Sequence, residues 1–488
     1  MDAGANTDAR DLDAPDPIAP DFVARRNRGR QGRARVPRSA QGPWVAPSDR
    51  ADPVALLEEQ AVTRIAEIVP LRYARMSESP FTFYRGGALL MASDLATMPH
   101  SGITVQLCGD AHLSNFGLFG TPERQLVFDM NDFDETFPGP FEWDLKRLAA
   151  SFAVAGRLRG FTAQEISECV TSAVRGYEVT IRSAADAPVL DAWYDRFDAD
   201  RARQRIRTER SRRRADDEAV ERLDIALKKA RKRDRMRAFA KLVGVVDGRL
   251  RILADPPLIV PVEDLIAQAE GSVDDAAAMR EMLDSYRQTL PGRRHPLSEY
   301  RYRHMARKVV GVGSVGTRAW VILLSGRDDG DPLLLQAKEA QPSVLERFLG
   351  SGTQTNEGER VVEGQRAMQA SSDIFLGWQQ VTGIDGRTRD FYIRQLHDWK
   401  GGIDPLTMTP RGAALYARVC GETLARAHAR SGDRLEIAGY LGRGRAFERA
   451  ISAFAHSYAD QNERDFDDFQ RALASGRLPS LPAAEVSP

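Results

Sequence analysis

Residues 105–148 read VQLCGDAHLSNFGLFGTPERQLVFDMNDFDETFPGPFEWDLKRL, and the rest of the chain is interpreted around them. An apolar run, Val105 to Cys108, stops at the turn residues Gly109-Asp110. A polar segment follows that holds Asp110, His112 and Asn115. Leu126-Val127-Phe128 reads as a second short strand and leads into Asp129, Asp132, Asp134 and Glu135, and a helix is expected from about Trp143-Asp144. Two carboxylate-bearing loops, each behind a short strand, are where carboxylates converge to hold a metal and take a proton. An aspartate followed five residues later by an asparagine is what phosphoryl transfer from a nucleotide needs. The carboxylate orients or deprotonates the acceptor hydroxyl, and the amide oxygen helps to hold Mg²⁺. That spacing alone is weak. It gains weight from Asp132-Phe133 after the next strand and from Asp144-Leu145 at the next helix.

Downstream, Lys308 to Lys338 alternates and is rich in Val, Leu and Gly, as in an antiparallel sheet. Strands are expected at Val309-Val310, Ala319–Leu324 and Leu333–Ala337, with Asp328-Asp329-Gly330-Asp331 as a hairpin turn. Gly311, Gly313 and Gly316 form a GxGxxG pattern between two strands rather than at the opening of a helix, which argues against a dinucleotide-binding fold. The pattern matches the glycine-rich loop whose backbone approaches ATP phosphates. Lys338 ends the following strand, as a phosphate-binding lysine does; an exposed strand lysine is the plainer alternative. Glu363, on an expected helix over Glu357–Ala370, is the candidate partner of Lys338, with Glu359 second. Strands near Ile374–Trp378 and Phe391–Leu396 follow. The segment from Arg394 to His397, with Gln395 and Leu396, would face adenine.

The runs CGDAHLSN, NDFDE and EWDLKRLA resemble the catalytic segment of the aminoglycoside- and choline-kinase-like branch of the protein-kinase-like superfamily. The resemblance implies that Asp110 is the base, that Asn115 and Asp132 are Mg²⁺ ligands, and that Asp144 is structural. Asp134 and Asp129 are runners-up for the metal. Cys108 departs from the histidine usual there. The longer string from SPFTFYRGGA through NDFDETFPGPFEWDLKRLAASF resembles an uncharacterised bacterial family, domain of unknown function 2252, over most of the chain beyond residue 50.

The order of the motifs is unusual, because in ordinary kinases the glycine loop and lysine come first. Leu424-Ala425-Arg426-Ala427-His428-Ala429 resembles the helix that normally leads into the catalytic loop. The expectation is therefore an α+β, protein-kinase-like, two-lobed fold that is circularly permuted. Its parts are a disordered Arg- and Pro-rich tail over 1–50, a helical catalytic lobe over 51–300 with a charged helical insert near 200–237, and an antiparallel ATP-binding lobe over 301–400. Helices over 401–475 complete the catalytic lobe, and 476–488 is a flexible tail. Within the catalytic lobe, helices are expected at Pro53–Val69, Ala88–Ala96, Asp144–Tyr177 and Val262–Leu290, and a hairpin at Val245–Ile252.

Bulk composition narrows the classes further. The 488 residues are 42% hydrophobic and 28% charged, with zero formal net charge, so no global field points to nucleic acid or membrane. The arginines between Arg25 and Arg38 and the basic run Lys228–Arg237 leave a nucleic-acid contact open as the minor reading. Cys108, Cys169 and Cys420 match no zinc or redox spacing, and no apolar run approaches a membrane span. With no secretory signal visible, the cytoplasm is expected. A zinc hydrolase built on His112, Asp110, Asp129 and Asp132 lacks a second histidine nearby. The expected activity is ATP- and Mg²⁺-dependent phosphoryl transfer to an unidentified acceptor, with a small molecule favoured. Nucleotidyl transfer to protein and a non-catalytic nucleotide-binding scaffold are the alternatives.

Overall fold

A computed structural model describes residues 21–198, 201–204, 208, 225, 235–268, 275–292, 294–383, 385–396 and 404–481. The principal helices are α1 (Phe22–Arg35), α2 (Pro53–Ala61), α3 (Val69–Met76), α4 (Pro80–Gly86), α5 (Ala88–Leu95), α6 (Phe141–Leu158), α7 (Ala163–Asp186), α8 (Glu357–Met368), α9 (Pro410–Ser431), α10 (Arg434–Leu441) and α11 (Ala446–Ala474). The strands that frame the site are β1 (Thr104–Leu107), β2 (Phe116–Gly120), β3 (Leu126–Met130), β4 (Phe137–Pro140), β5 (Ile259–Pro261), β6 (Arg301–Lys308), β7 (Ala319–Ser325), β8 (Pro332–Ala340), β9 (Gly377–Thr382) and β10 (Thr388–Gln395). The chain is thus α+β. Among the described residues no helix is long and apolar enough to cross a membrane.

The helical body is built around α6, which is buried over almost its whole length. Its small residues Ala149, Ala150 and Ala153 are fully buried and let neighbours approach. Helices α7 and α9 cross through a reciprocal pair of glycines. A Cβ on Gly176 would lie 2.4 Å from the Arg418 carbonyl oxygen, and one on Gly421 would lie 2.0 Å from that of Ala173. No larger residue fits either place without moving backbone.

The same device explains α1, which lies inside the stretch expected to be a disordered tail. It carries almost no apolar periodicity, so a search for an amphipathic face passes over it. What seats it is backbone contact: Gly29 rests on the Glu436 carbonyl of α10 and Gly439 on that of Arg26. Arg25 adds an ion pair to Asp433 at 2.8 Å, and Asp21 caps the helix by accepting from Val23 and Ala24. Residues 1–20 lie outside the described residues, as does most of the charged 200–237 stretch.

The second body is a six-stranded antiparallel sheet of order β9-β10-β8-β7-β6-β5. Its Val245–Ile252 neighbour is a hairpin turning at Asp247-Gly248 as expected, with strands Val243–Val246 and Arg249–Ile252. The sheet does not start near residue 301. It recruits β5, and the helix Asp275–Gln288 packs on it through Tyr286, whose hydroxyl donates to the Phe375 carbonyl. The strand anticipated at Val309-Val310 ends earlier, at Lys308, and leaves the glycine segment as the loop between β6 and β7. Residues 53–69 are not one helix: α2 stops at Ala61, and a 3₁₀ turn, Ala66–Ile68, precedes α3.

Candidate active site

The catalytic-type loop is anchored from beneath. Gly109 has φ +82°, and a Cβ there would lie 2.1 Å from the Glu135 carbonyl oxygen, so only glycine makes this turn. Asp144, in the first turn of α6, accepts from the backbone N–H groups of Cys108 at 2.7 Å and Gly109 at 3.0 Å. Its Oδ2 also faces His428 Nε2 of α9 at 3.3 Å, and His428 Nδ1 lies 2.9 Å from the Tyr177 hydroxyl. Asp144 is therefore a buried structural carboxylate. Its position at a helix start adds the favourable end of the helix dipole.

Asp110 is oriented by Arg147 of α6. Nε and Nη2 of Arg147 reach Asp110 Oδ1 at 2.8 and 2.7 Å, while Nη2 also donates to the Tyr84 carbonyl and the guanidinium stacks over the Tyr84 ring. Asp110 Oδ2 lies 3.7 Å from His112 Nε2. Burial, then Arg85 and Arg147, push the His112 imidazole well down, so it is neutral, and its Nδ1 accepts from Ser114 N–H. His112 shapes the loop. Asn115 Nδ2 donates to the Asp110 carbonyl at 2.7 Å, which frees its amide oxygen for another partner.

The acidic segment divides into distinct roles. Asp129 is buried on β3, 3.9 Å from Arg430, and accepts from Met130 N–H. It is absent from the lining of the cleft, so its candidacy as a metal ligand is corrected to a structural role. Asp134 accepts from Lys338 Nζ at 2.6 Å, from Ser314 Oγ at 2.9 Å and from the Tyr392 hydroxyl. Burial works to raise its carboxyl, but Lys338 and Tyr392 outweigh burial and hold it well below the usual carboxylate range. Asp132 makes a longer contact, 3.5 Å, to the same Lys338. Desolvation, then the neighbouring Asp134, pushes its carboxyl up. Desolvation also works to discharge Lys338, and the two carboxylates overcome it. Glu135, half-buried and accepting from Val344 N–H at 2.8 Å, is pushed up to about 7 by desolvation.

Several of these groups share one cleft with the glycine loop, whereas Asp129 and the buried Lys338 do not line it. Asp110, Asn115, Asp132, Asp134 and Glu135 line it together with Gly311, Gly313 and Ser314. It encloses ≈ 1100 Å³, part of it open to solvent. Gly316 takes φ +92°, and its carbonyl accepts from Ile65 N–H at 2.8 Å. Arg75 Nη1 donates to the Gly311 carbonyl at 2.7 Å, so the N-terminal helices grip the loop.

Three expected residues are placed elsewhere. Glu363 points outward and pairs with Arg366 at 2.9 Å rather than with Lys338. Gly364, whose Cβ would strike Thr136 at 2.4 Å, and Arg360 define the inward face of α8, and Glu363 is about 100° round the helix from Gly364. Arg360 instead donates to the carbonyls of Asp134, Thr136 and Gln341. Gln395 and Leu396 do not line the cleft, and their N–H groups are taken by Asp373 Oδ2 and the Leu334 carbonyl. His397 lies outside the described residues.

The donor set suits a hard cation. Asn115 and Asp132 offer oxygen atoms, and Asp132 is the least engaged of the three aspartates. Among the described residues no three His, Cys, Asp or Glu side chains could hold a metal by themselves. Mg²⁺ needs only one or two carboxylates when phosphates complete its shell.

A family model described as "uncharacterized protein conserved in bacteria (DUF2252)" matches residues 64–472. The chain belongs to this family. The family region starts at Arg64, beside the glycine loop, and takes in every cleft residue named above. Helix α1 precedes it. No curated protein and no solved structure matches the chain.

Sequence reasoning missed Arg147 and Arg360. Neither stands at a motif spacing, and an arginine inside a helix reads as a snorkelling surface residue. The one signal was Arg147's position three residues after Asp144, on the same helix face.

Proposed function

We propose that this chain is an ATP- and Mg²⁺-dependent phosphotransferase with a circularly permuted, kinase-like arrangement. The observation that carries the reading is the junction of Lys338 with Asp134 and Asp132, 204 and 206 residues apart in sequence, under a glycine loop whose Ser314 bonds the same Asp134. A glycine loop between the first two strands of a meander, a lysine on the third and a helix after it parallel the small lobe of protein kinases. Helix α9, which props Asp144 through His428, parallels the helix that leads into their catalytic loop.

The roles follow from the chemistry of each group. Asp110 Oδ2 takes the proton of the acceptor hydroxyl, while Arg147 fixes the carboxylate through Oδ1. Lys338 and the backbone of Gly311 to Gly316 bind the nucleotide phosphates. Asn115 and Asp132 would hold Mg²⁺, which when bound offsets phosphate charge. Asp134 positions Lys338.

The test is transfer from ATP labelled separately at the γ- and α-phosphates, using the full chain and Asp110→Asn with a metabolite extract as acceptor. Gamma label on an acceptor, lost in Asp110→Asn, is expected. Alpha label on protein would replace the reading with nucleotidyl transfer. Tight Mg-ATP binding without any transfer would replace it with a non-catalytic nucleotide binder. Equal activity in Asp110→Asn would remove Asp110 from the role of base.

A further inference from the structure

The cleft has a second chemical character that phosphoryl transfer from ATP does not use. Arg64 and Arg85 line it, and Arg72 of α3 lies fully buried behind Gln60 and Gly86, which also line it. Arg72 Nη2 reaches Gln60 Oε1 at 2.6 Å and the Gly86 carbonyl at 3.2 Å. Arg64 donates to the Val315 carbonyl of the glycine loop. The Nε atoms of all three arginines, and Nη1 of Arg72, are buried without a hydrogen-bond partner.

No carboxylate among the described residues forms an ion pair with any of the three. The carboxylates nearby are already engaged. Asp110 belongs to Arg147, Asp132 and Asp134 to Lys338, and Glu339 to Arg318 and Arg389. Glu135 is held by Val344 N–H and is pushed up to about 7, so it is partly neutral. Holding a guanidinium partly out of water with N–H groups unpaired and no counter-ion is unfavourable. Three arginines that lack a counter-ion, each with an unpaired buried N–H group, stand beside one cleft, and their counter-charge arrives from outside. Burial lowers the Arg85 guanidinium from its ordinary value, and the charges that oppose this most are Asp110 and then Asp132, with which it shares the cleft.

We infer that Arg64, Arg72 and Arg85 form an anion-binding subsite for the acceptor, so that the acceptor carries a phosphate or carboxylate group rather than a positive charge. The inference deepens the phosphotransferase reading and rests on it for the word acceptor. Arg85 contacts the anion and sets the hydroxyl of the same molecule toward the base. Arg72 stiffens the wall through Gln60 and supplies charge from behind. A cationic acceptor would meet like charge here.

The experiment uses the full chain and defined probes. Inorganic phosphate, acetate and choline are each titrated by calorimetry into the free protein and into protein saturated with Mg²⁺ and a non-hydrolysable ATP analogue. The expected result is phosphate or acetate binding that survives saturation with the analogue, with no choline binding. In Arg85→Gln and Arg64→Gln that anion binding weakens about tenfold or more, as loss of a charge-assisted contact predicts, while analogue affinity changes less. Arg85→Lys keeps the charge and recovers part of the anion affinity, which a variant that merely misfolds would not do. Phosphate and acetate binding abolished by the analogue would overturn the inference and give the arginines to the nucleotide's own phosphates. So would the absence of anion binding in wild type, or anion binding that the variants leave unchanged. An analogue that does not bind at all defeats the nucleotide reading separately, and the pocket is then judged on the free protein alone.

Discussion

Lys338 Nζ lies 2.6 Å from Asp134 Oδ2, and the Ser314 hydroxyl donates to that same oxygen. One carboxylate thus ties the sheet's central strand β8 and the glycine loop to the acidic segment behind β3. Removing the ammonium leaves Asp134 with neutral donors only. Lys338→Met is expected to lower unfolding stability by about 1–3 kcal/mol, since the pair is part-exposed and Tyr392 and Ser314 remain. Urea denaturation checks this. The same variant is expected to lower phosphoryl transfer by roughly 10²-fold or more, as loss of a charged phosphate contact does.

The three aspartates separate by their partners. Asp132→Asn is expected to raise the Mg²⁺ concentration needed for half-maximal nucleotide binding by roughly tenfold or more, which is about 1.4 kcal/mol. Asp129→Asn is expected to leave that concentration unchanged and to lower stability, because Asp129 faces Arg430 inside the body. A Mg²⁺ titration of nucleotide binding on both variants decides; equal behaviour of the two would remove Asp132 from the metal site.

Glu135 makes a prediction in pH. Its folded value is about 7 against an ordinary 4.5, so the folded chain holds a proton that the unfolded chain releases. Its contribution to stability is fully present below about 4.5 and is lost as pH rises toward 7. Glu135→Gln retains an acceptor for Val344 N–H and has no charge to desolvate. Relative to wild type it should gain stability between pH 5 and 8, on the order of 2–3 kcal/mol. Thermal midpoints at the two pH values test this, and a difference that does not change with pH would count against the burial of Glu135 as its cause.

At the crossing of α7 and α9, Gly421→Ala puts a methyl group where the Ala173 carbonyl stands. A loss of about 1–3 kcal/mol or more is expected from forced displacement of buried backbone, read from the urea midpoint. Gly176→Ala, on the facing helix, should behave alike, and the double variant should cost less than the sum because one displacement relieves both.

Much of the cleft was legible in the chain because its parts make local demands. Gly109 and Gly316 adopt positive φ, and Asp110 and Asn115 share one turn of loop, so residue type and spacing carry the message. The hairpin at Asp247-Gly248 was legible for the same reason. The partner of Lys338 was not, because it is set by which face α8 presents, and that depends on Gly364 meeting Thr136 across the fold. Helix α1 was hidden because its contacts are made by backbone at Gly29 and by ion pairs rather than by apolar side chains. Arg64, Arg72 and Arg85 stand in no catalytic motif. Their lack of counter-ions is a property of three-dimensional proximity and has no spacing in sequence.

The contact between Asp144 and His428 joins positions 284 residues apart. On a ribosome, Asp110 and its loop emerge long before the histidine that steadies them has been translated. A nascent chain, or one cut between the sheet and α9, carries Asp110 without the histidine that steadies Asp144 beneath the Cys108–Gly109 turn. The fully propped Cys108–Gly109 turn therefore forms only near the end of synthesis.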